Sequence, residues 1–256
     1  MSRFKTAFAQ SKKLLSIYVT AGYPALEDTM SVIENLANNG VDVIEIGMPF
    51  SDPLADGEII QASSLHALNN GMTVAKLFAQ LEGIREKVNI PLVLMGYINP
   101  VLQYGVEAFC KKCQAIGIDG LILPDLPIEF YEANYKTTFE KYGLSYIGLI
   151  TPQTPSNRID KIVNASSGFV YLVSSASTTG VNTQFGNSQD AYFERIGALQ
   201  LHLPTMVGFG VKDKNTFEKA TKHANGAIIG SAFIKHIEQH GVSEGSLSAF
   251  VKQIVN

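Results

Sequence analysis

Three acidic residues in an unusual frame are the chemically suggestive part of this chain. Glu45 lies in the apolar stretch Val41-Asp42-Val43-Ile44-Glu45-Ile46-Gly47, and the run Pro49-Phe50-Ser51-Asp52-Pro53-Leu54-Ala55-Asp56-Gly57 follows almost directly. A strand-like segment thus carries a carboxyl among Val43, Ile44 and Ile46, and a loop stiffened by Pro49 and Pro53 brings Asp52 and Asp56 back within reach. Among apolar neighbours Glu45 loses water on folding, which disfavours its charged form. A carboxyl of raised pKa gives and takes protons near neutral pH, whereas one in a polar loop, as expected for Asp52 and Asp56, stays ionised. Glu45 and Asp56 are therefore a candidate catalytic pair, one a proton carrier and the other a fixed anion. A plainer account fits the same residues: Glu45 as a strand cap and the prolines as ordinary turn chemistry.

The elements that must position this pair alternate along the chain. Apolar segments of strand length occur at 15–19, 43–46, 92–95, 120–123, 146–150, 169–173, 205–207 and 227–229. Amphipathic stretches with helical spacing lie at 26–38, 73–87, 106–116, 129–142, 157–164, 190–199, 214–223 and 231–240, for example Val32, Leu36 and Ala37 in the first. Such alternation specifies a parallel sheet, and eight units allow closure into a (β/α)8 TIM barrel. Residues 4–13 are left over as an additional N-terminal helix to plug the barrel's bottom. With no linker or low-complexity tract, residues 1–256 are expected to form a single domain.

A chain of 256 residues with 46% hydrophobic content matches one such barrel in size. A net charge of −3 gives no basic stripe for nucleic acid. No apolar run approaches a membrane span, and Met1-Ser2-Arg3-Phe4-Lys5 lacks the core of a secretion signal, so the expected location is cytoplasmic. Cys110-Lys111-Lys112-Cys113 has redox spacing but sits inside a helical stretch, away from the strand-to-helix turns where thiolates are stabilised. His236 and His240 are four apart without the glutamate that a zinc-protease motif places after the first histidine. No metal site is expected.

In TIM barrels the chemistry gathers at the C-terminal ends of the strands, and phosphate is held by the loops after strands seven and eight. Both loops are glycine-rich here: Val207-Gly208-Phe209-Gly210, and Ile229-Gly230-Ser231-Ala232 at the start of a helix. Bare backbone lets N–H groups approach an anion, and the positive end of a helix dipole adds attraction. Either loop alone would also be a tight turn.

The string PFSDPLADG after Glu45, with Leu94-Met95-Gly96-Tyr97-Ile98-Asn99-Pro100, Leu123-Pro124-Asp125-Leu126-Pro127, Gly208-Phe209-Gly210 and Gly230-Ser231-Ala232, resembles the tryptophan synthase alpha chain family over nearly the whole chain. The resemblance implies a barrel that cleaves indole-3-glycerol phosphate into indole and glyceraldehyde 3-phosphate. It also implies a partner beta chain in an α2β2 complex, with no cofactor on this chain and pyridoxal phosphate on the partner only. Glu45 matches the family's acid/base and Asp56 the carboxylate that holds the indole N–H. Tyr18, Ile60, Tyr97, Ile122, Ile150 and Tyr171 match the indole slot, though each alone would equally serve as barrel core. Thr179, Gly180, Gly208, Phe209, Gly210, Gly230 and Ser231 match the lid and phosphate cradle. Asp52, Pro53, Asn99 and Asp125 match the surface that meets the beta chain. One segment departs from the pattern: Ser177 and Thr178 stand where the family has Gly and Val in its mobile lid. A sugar-phosphate isomerase, a partner-regulating subunit with decayed activity and a phosphate-binding barrel are the alternatives that the residues leave open.

Overall fold

The computed structural model describes residues 2–173, 187–208 and 210–255. Within them, nine strands form one sheet: β1 (Leu14–Thr20), β2 (Val43–Gly47), β3 (Leu92–Met95), β4 (Gly120–Ile122), β5 (Ser145–Tyr146), β6 (Leu149–Ile150), β7 (Val170–Val173), β8 (Thr205–Gly208) and β9 (Gly226–Ile229). Their order is β5-β4-β3-β2-β1-β9-β8-β7-β6, and each neighbouring pair is parallel. The two ends of that order are consecutive in the chain, separated by Ile147 and Gly148 only. The Ile147 N–H donates to Leu121 O of β4, and the Tyr171 N–H of β7 donates to Gly148 O. Residues 145–150 are therefore one stave paired on both edges, and the sheet closes into a barrel of eight staves.

This is the expected architecture with its fifth strand in two pieces, and Gly148 explains the break. Its N–H donates to Ser166 Oγ (3.0 Å). A Cβ at this position would lie 2.5 Å from that oxygen and 2.6 Å from Ile162 Cγ2.

At the N-terminal rim the strand starts are clasped by side chains. Asp42 donates its N–H to Leu15 O and accepts the Leu15 N–H at Oδ2 (3.0 Å). Asp119 makes the same exchange with Leu92 (2.9 Å), and Asn225 makes it with Thr205 through Oδ1 (2.9 Å). Each side chain adds one bond to the ladder where the backbone alone leaves an N–H unpaired. Lys12 neutralises Asp42 (2.6 Å), and Arg3 and Arg85 neutralise Asp119 (3.0 and 2.5 Å). Arg3 belongs to the short helix Arg3–Phe8, whose Phe4 packs edge-on against Phe169 at 5.8 Å. Gly168 has φ +83°, and a Cβ there would meet the Phe4 ring at 2.9 Å. The helix closes the bottom as expected, but it ends at Phe8 instead of running to residue 13.

Three helices escape the periodicity argument: Glu58–Asn69, Ile98–Tyr104 and Glu244–Val255. The first matters most, because it carries the segment just after Asp56. Its buried face includes Ser63 and Ser64 beside Ile60 and Ala67, while Leu65 is exposed, so its pattern is not a clean apolar stripe. The hydroxyls have a purpose: Ser63 Oγ donates to Ile60 O (2.9 Å) and contacts Thr20 Oγ1 (2.7 Å), latching the helix to the top of β1. The stretch 129–142 is also two helices, Ile128–Asn134 and Lys136–Lys141.

Gly148→Ala is expected to lower the unfolding free energy by about 1–3 kcal/mol, because the new Cβ must displace Ser166 Oγ or the Ile162 side chain. A urea midpoint equal to that of wild type would show that the wall yields there without cost.

Candidate active site

Glu45 projects from the middle of β2 into the barrel, fully buried, with Tyr18 of β1 as its pair and Val93 of β3 on the other side. Neither carboxyl oxygen makes a hydrogen bond among the described residues. Burial pushes its pKa up to about 8, and Ser16 Oγ, near enough to favour the charged form but without closing a well-formed bond, pulls the other way. At neutral pH the resting carboxyl therefore holds its proton.

Two glycines make room for the phenols around it. A Cβ at Gly47 would overlap the Tyr18 hydroxyl, and a Cβ at Gly208 would overlap that of Tyr171. Both tyrosines are held as neutral phenols, first by burial and then by the nearby Glu45 and Asp56 carboxyls.

Asp56 lies at the end of the proline loop, just before Gly57 caps the helix Glu58–Asn69. The Tyr97 hydroxyl donates to Asp56 Oδ2 (3.1 Å) and accepts the Ala55 N–H (2.9 Å), tying the loop to the far end of β3. Phe50 stacks on the Tyr97 ring at 5.2 Å. Asp56, Tyr97 and Phe50, with Tyr18, Met48, Met95, Gly96 and Pro124, line a narrow cleft; Glu45 is not itself in the lining but is reached through Tyr18, its strand pair. The polar loop expected around Asp56 is only part of its surroundings. The cleft walls desolvate it and push its pKa up to about 6, against the pull of the Tyr97 hydroxyl. It remains mostly ionised at pH 7.

On the same rim, across β1, the helix Ser231–His240 starts straight from β9 with Gly230 as its cap and no side chain capping its first turn. The first-turn N–H groups there are left without a side-chain partner, and Ser231 is exposed at the helix start. Gly210 has φ +77°, a conformation that suits glycine. Gly208 proves to be glycine because of Tyr171, a reason internal to the chain. A Cβ on Gly230 would find only ordinary contacts, 3.4 Å to Tyr18 Cβ and 3.7 Å to Ile60 Cδ1, which places Tyr18, Ile60 and Gly230 side by side. Phe209, Ser177, Thr178, Thr179 and Gly180 lie outside the described residues.

The remaining residues divide. Ile122 and Ile150 are fully buried strand residues and do not line the cleft. Asp52 and Asn99 are exposed, Pro53 is half-buried, and Leu54 beside them is 88% exposed at the loop's tip. Asp125 is committed within the chain: its carboxylate accepts the Ile98 N–H (3.0 and 3.2 Å) at the start of the helix Ile98–Tyr104. Cys110 and Cys113 are buried free thiols, and burial pushes Cys110 up to about 12, far from a redox pair. His236 bonds Ser246 Oγ (2.9 Å) and fastens two helices together. No metal-binding cluster occurs among the described residues, and no helix there is long and apolar enough to cross a membrane. Sequence reasoning missed Met48, Phe50, Met95, Gly96 and Pro124 in the cleft, and also Ser16. Of these, Phe50, Met95, Gly96 and Pro124 sit inside motifs already singled out, Met48 falls between two of them, and Ser16 is a small hydroxyl between Leu15 and Ile17 on β1.

Residues 4–254 match the family model for the tryptophan synthase alpha chain. The alpha chain of Flavobacterium johnsoniae is 60% identical over 99% of this chain and 100% of its own length, and that of Bacteroides thetaiotaomicron is 49% identical over 93% and 94%. A crystal structure of tryptophan synthase from M. tuberculosis in an aminoacrylate-bound form superposes with a TM-score of 0.86 at 30% identity, covering 99% of this chain and 98% of that one. The tryptophan synthase alpha chain from Legionella pneumophila gives 0.87 at 32% identity, covering 99% and 97%. With a closed barrel, a buried carboxyl beneath a cleft and a match from end to end, this chain belongs to the tryptophan synthase alpha chain family.

Proposed function

We propose that Glu45 carries the proton and Asp56 the fixed negative charge in the cleavage of indole-3-glycerol phosphate. The family's half-reaction is this retro-aldol step, a lyase reaction that yields indole and glyceraldehyde 3-phosphate, and its alpha chains work in complex with a beta chain. The observation that carries the assignment is a carboxyl held protonated near neutral pH under a cleft whose wall holds an ionised one.

The steps divide between the two groups. Glu45 gives its proton to indole C3, and the positive charge that develops near the ring nitrogen is met by Asp56. Glu45, now a carboxylate, takes the proton of the glycerol hydroxyl next to the ring. The carbon–carbon bond then breaks, its electron pair returns to the ring, and the hydroxyl carbon becomes the aldehyde. Tyr97 orients Asp56 through its 3.1 Å bond, while Tyr18 and Ile60 flank the ring slot. Ile122, Ile150 and Tyr171 back the slot from the barrel wall. Gly208 to Gly210 and Gly230 with Ser231 bind the phosphate, and Thr179 and Gly180 complete the cover over the substrate.

The chain supplies both acid and base itself and calls for no cofactor of its own. Pyridoxal phosphate belongs to the beta chain, where indole is consumed. Asp52, Pro53 and Asn99, with the protruding Leu54, face that partner in an α2β2 assembly, and Asp125 shapes the same surface by holding the helix Ile98–Tyr104. The whole of residues 1–256 acts as one barrel domain, in the cytoplasm with its soluble substrate.

The free enzyme must hold Glu45 protonated and Asp56 ionised, so kcat/KM for indole release is expected to follow a bell. It rises as Asp56 ionises around pH 6 and falls as Glu45 loses its proton around pH 8. A flat profile between pH 5 and 9 would contradict this division of roles.

Glu45→Gln keeps the shape but abolishes titration, and turnover should fall by roughly 10²- to 10⁴-fold. Retention of more than about a tenth of wild-type activity would end the role of Glu45. The same variant reports on burial. The native state holds the Glu45 proton between the unfolded value of 4.5 and the folded value of about 8, so wild-type stability declines as pH rises through that window. Glu45→Gln lacks that decline and should gain on wild type steadily across it in urea titrations.

Ser231→Ala alters an exposed side chain at the helix start. It should leave stability within about 0.5 kcal/mol and weaken glycerol phosphate binding about 3- to 10-fold by calorimetry. Unchanged affinity would remove the hydroxyl from the phosphate site.

A further inference from the structure

The barrel interior holds one hydroxyl that the mechanism above does not use. Ser16 lies on β1, two residues before Tyr18 and so on the same face of the strand, and Tyr18 is the residue paired with Glu45. Ser16 is fully buried, and its Oγ has no hydrogen-bond partner among the described residues. Both Glu45 oxygens, on the adjoining strand, are in the same condition. Of the two other hydroxyls on this face of β1, that of Thr20 is already engaged with Ser63 and that of Tyr18 reaches over Gly47. A buried hydroxyl with no partner is unfavourable unless something in reach uses it, and the group in reach is the Glu45 carboxyl.

We propose that Ser16 is a positioning residue for Glu45, its hydroxyl accepting from the carboxyl while Glu45 holds the proton and donating to the carboxylate once the proton has been passed on. The inference rests on Glu45 being the proton carrier and adds the group that receives its charge between the two proton transfers. A hydroxyl suits this alternation because rotation about one bond turns it from acceptor to donor. A fixed donor would favour the carboxylate alone. The titratable groups that face Glu45 are Tyr18 from β1 and Tyr171 from β7, with Asp56 in range of both at the mouth; β3 contributes the apolar Val93. Both phenols are fully buried and stay neutral, and neither hydrogen-bonds a Glu45 oxygen.

The test compares Ser16→Ala and Ser16→Thr with wild type in two measurements. One is the pH profile of kcat/KM for indole release. The other is the pH titration of the infrared band of the protonated Glu45 carboxyl, identified by its absence in Glu45→Gln. The bond that Ser16 donates to the carboxylate is charge-assisted and stronger than the one it accepts from the acid, so loss of the hydroxyl costs the carboxylate more. In Ser16→Ala the infrared midpoint and the alkaline limb of the profile should therefore both move up by about half to one pH unit. Ser16→Thr, which keeps the hydroxyl, should return both towards wild type. An infrared midpoint that does not move in Ser16→Ala overturns the proposal, whatever the activity does. A midpoint that moves while the alkaline limb stays put upholds the contact between Ser16 and Glu45 and instead removes Glu45 as the rate-controlling acid.

Discussion

A carboxyl buried in the middle of a barrel, with no hydrogen bond at either oxygen among the described residues, is the constraint to which the surrounding structure answers. Ionised there, Glu45 would oppose folding strongly, since an unpaired buried charge loses far more in hydration than its surroundings return. The protein accommodates it by keeping the proton on, and the neighbouring positions are consistent with that choice. Val93 is apolar, and two phenols that burial keeps neutral occupy the volume that glycines at positions 47 and 208 leave free. Those glycines sit at strand ends where turn chemistry is the obvious explanation, yet what each one accommodates is a tyrosyl hydroxyl.

The cleft above depends on contacts made far from it. Asp56 is placed by a loop with a tether on either side. Tyr97, 41 residues further along the chain, holds the Asp56 carboxylate and the Ala55 amide with one hydroxyl. On the other side, the helix that begins at Glu58 is latched to the end of β1 by the contact of Ser63 with Thr20. Thr20 stands on the same strand as Tyr18 and Ser16, so one strand sets the height of the loop, one wall of the slot and the surroundings of Glu45.

The sequence was legible where a property belongs to neighbours in the chain. Strand and helix alternation revealed the barrel, and Val43, Ile44 and Ile46 were enough to foretell that Glu45 would be desolvated. It was opaque where distant residues decide. Asp56 read as a carboxylate in a polar loop, and its partial desolvation was hidden because Tyr97, which binds it, and Phe50, which stacks on Tyr97, come together only when the loop folds over β3. Asp125 matched the partner surface and is exposed, but the Ile98 N–H that it accepts lies on a different connection and could not be foreseen. The helix Glu58–Asn69 was invisible because Ser63 and Ser64 are buried for the sake of hydrogen bonding, which breaks the apolar stripe that marks most helices. The broken fifth stave likewise follows from Ser166 and Ile162 pressing on Gly148, a contact between different connections.

The two carboxyls differ in degree and not in kind. Desolvation raises both, to about 8 for Glu45 and about 6 for Asp56, and the gap comes from what each has in return. Asp56 keeps part of its surface in water and a donor in Tyr97, which favour its charged form. Glu45 has neither, apart from the weak influence of Ser16. An acid that must release a proton and recover it within one turnover cannot be strongly stabilised in either state, because a firm partner for the carboxylate would make it a poor base and a firm partner for the acid would make it a poor donor. Isolation within the barrel satisfies both demands, and the strand that isolates Glu45 also fixes Asp56 overhead. The separation of the two pKa values is thus a consequence of depth in one barrel, read from the floor of the cleft to its rim.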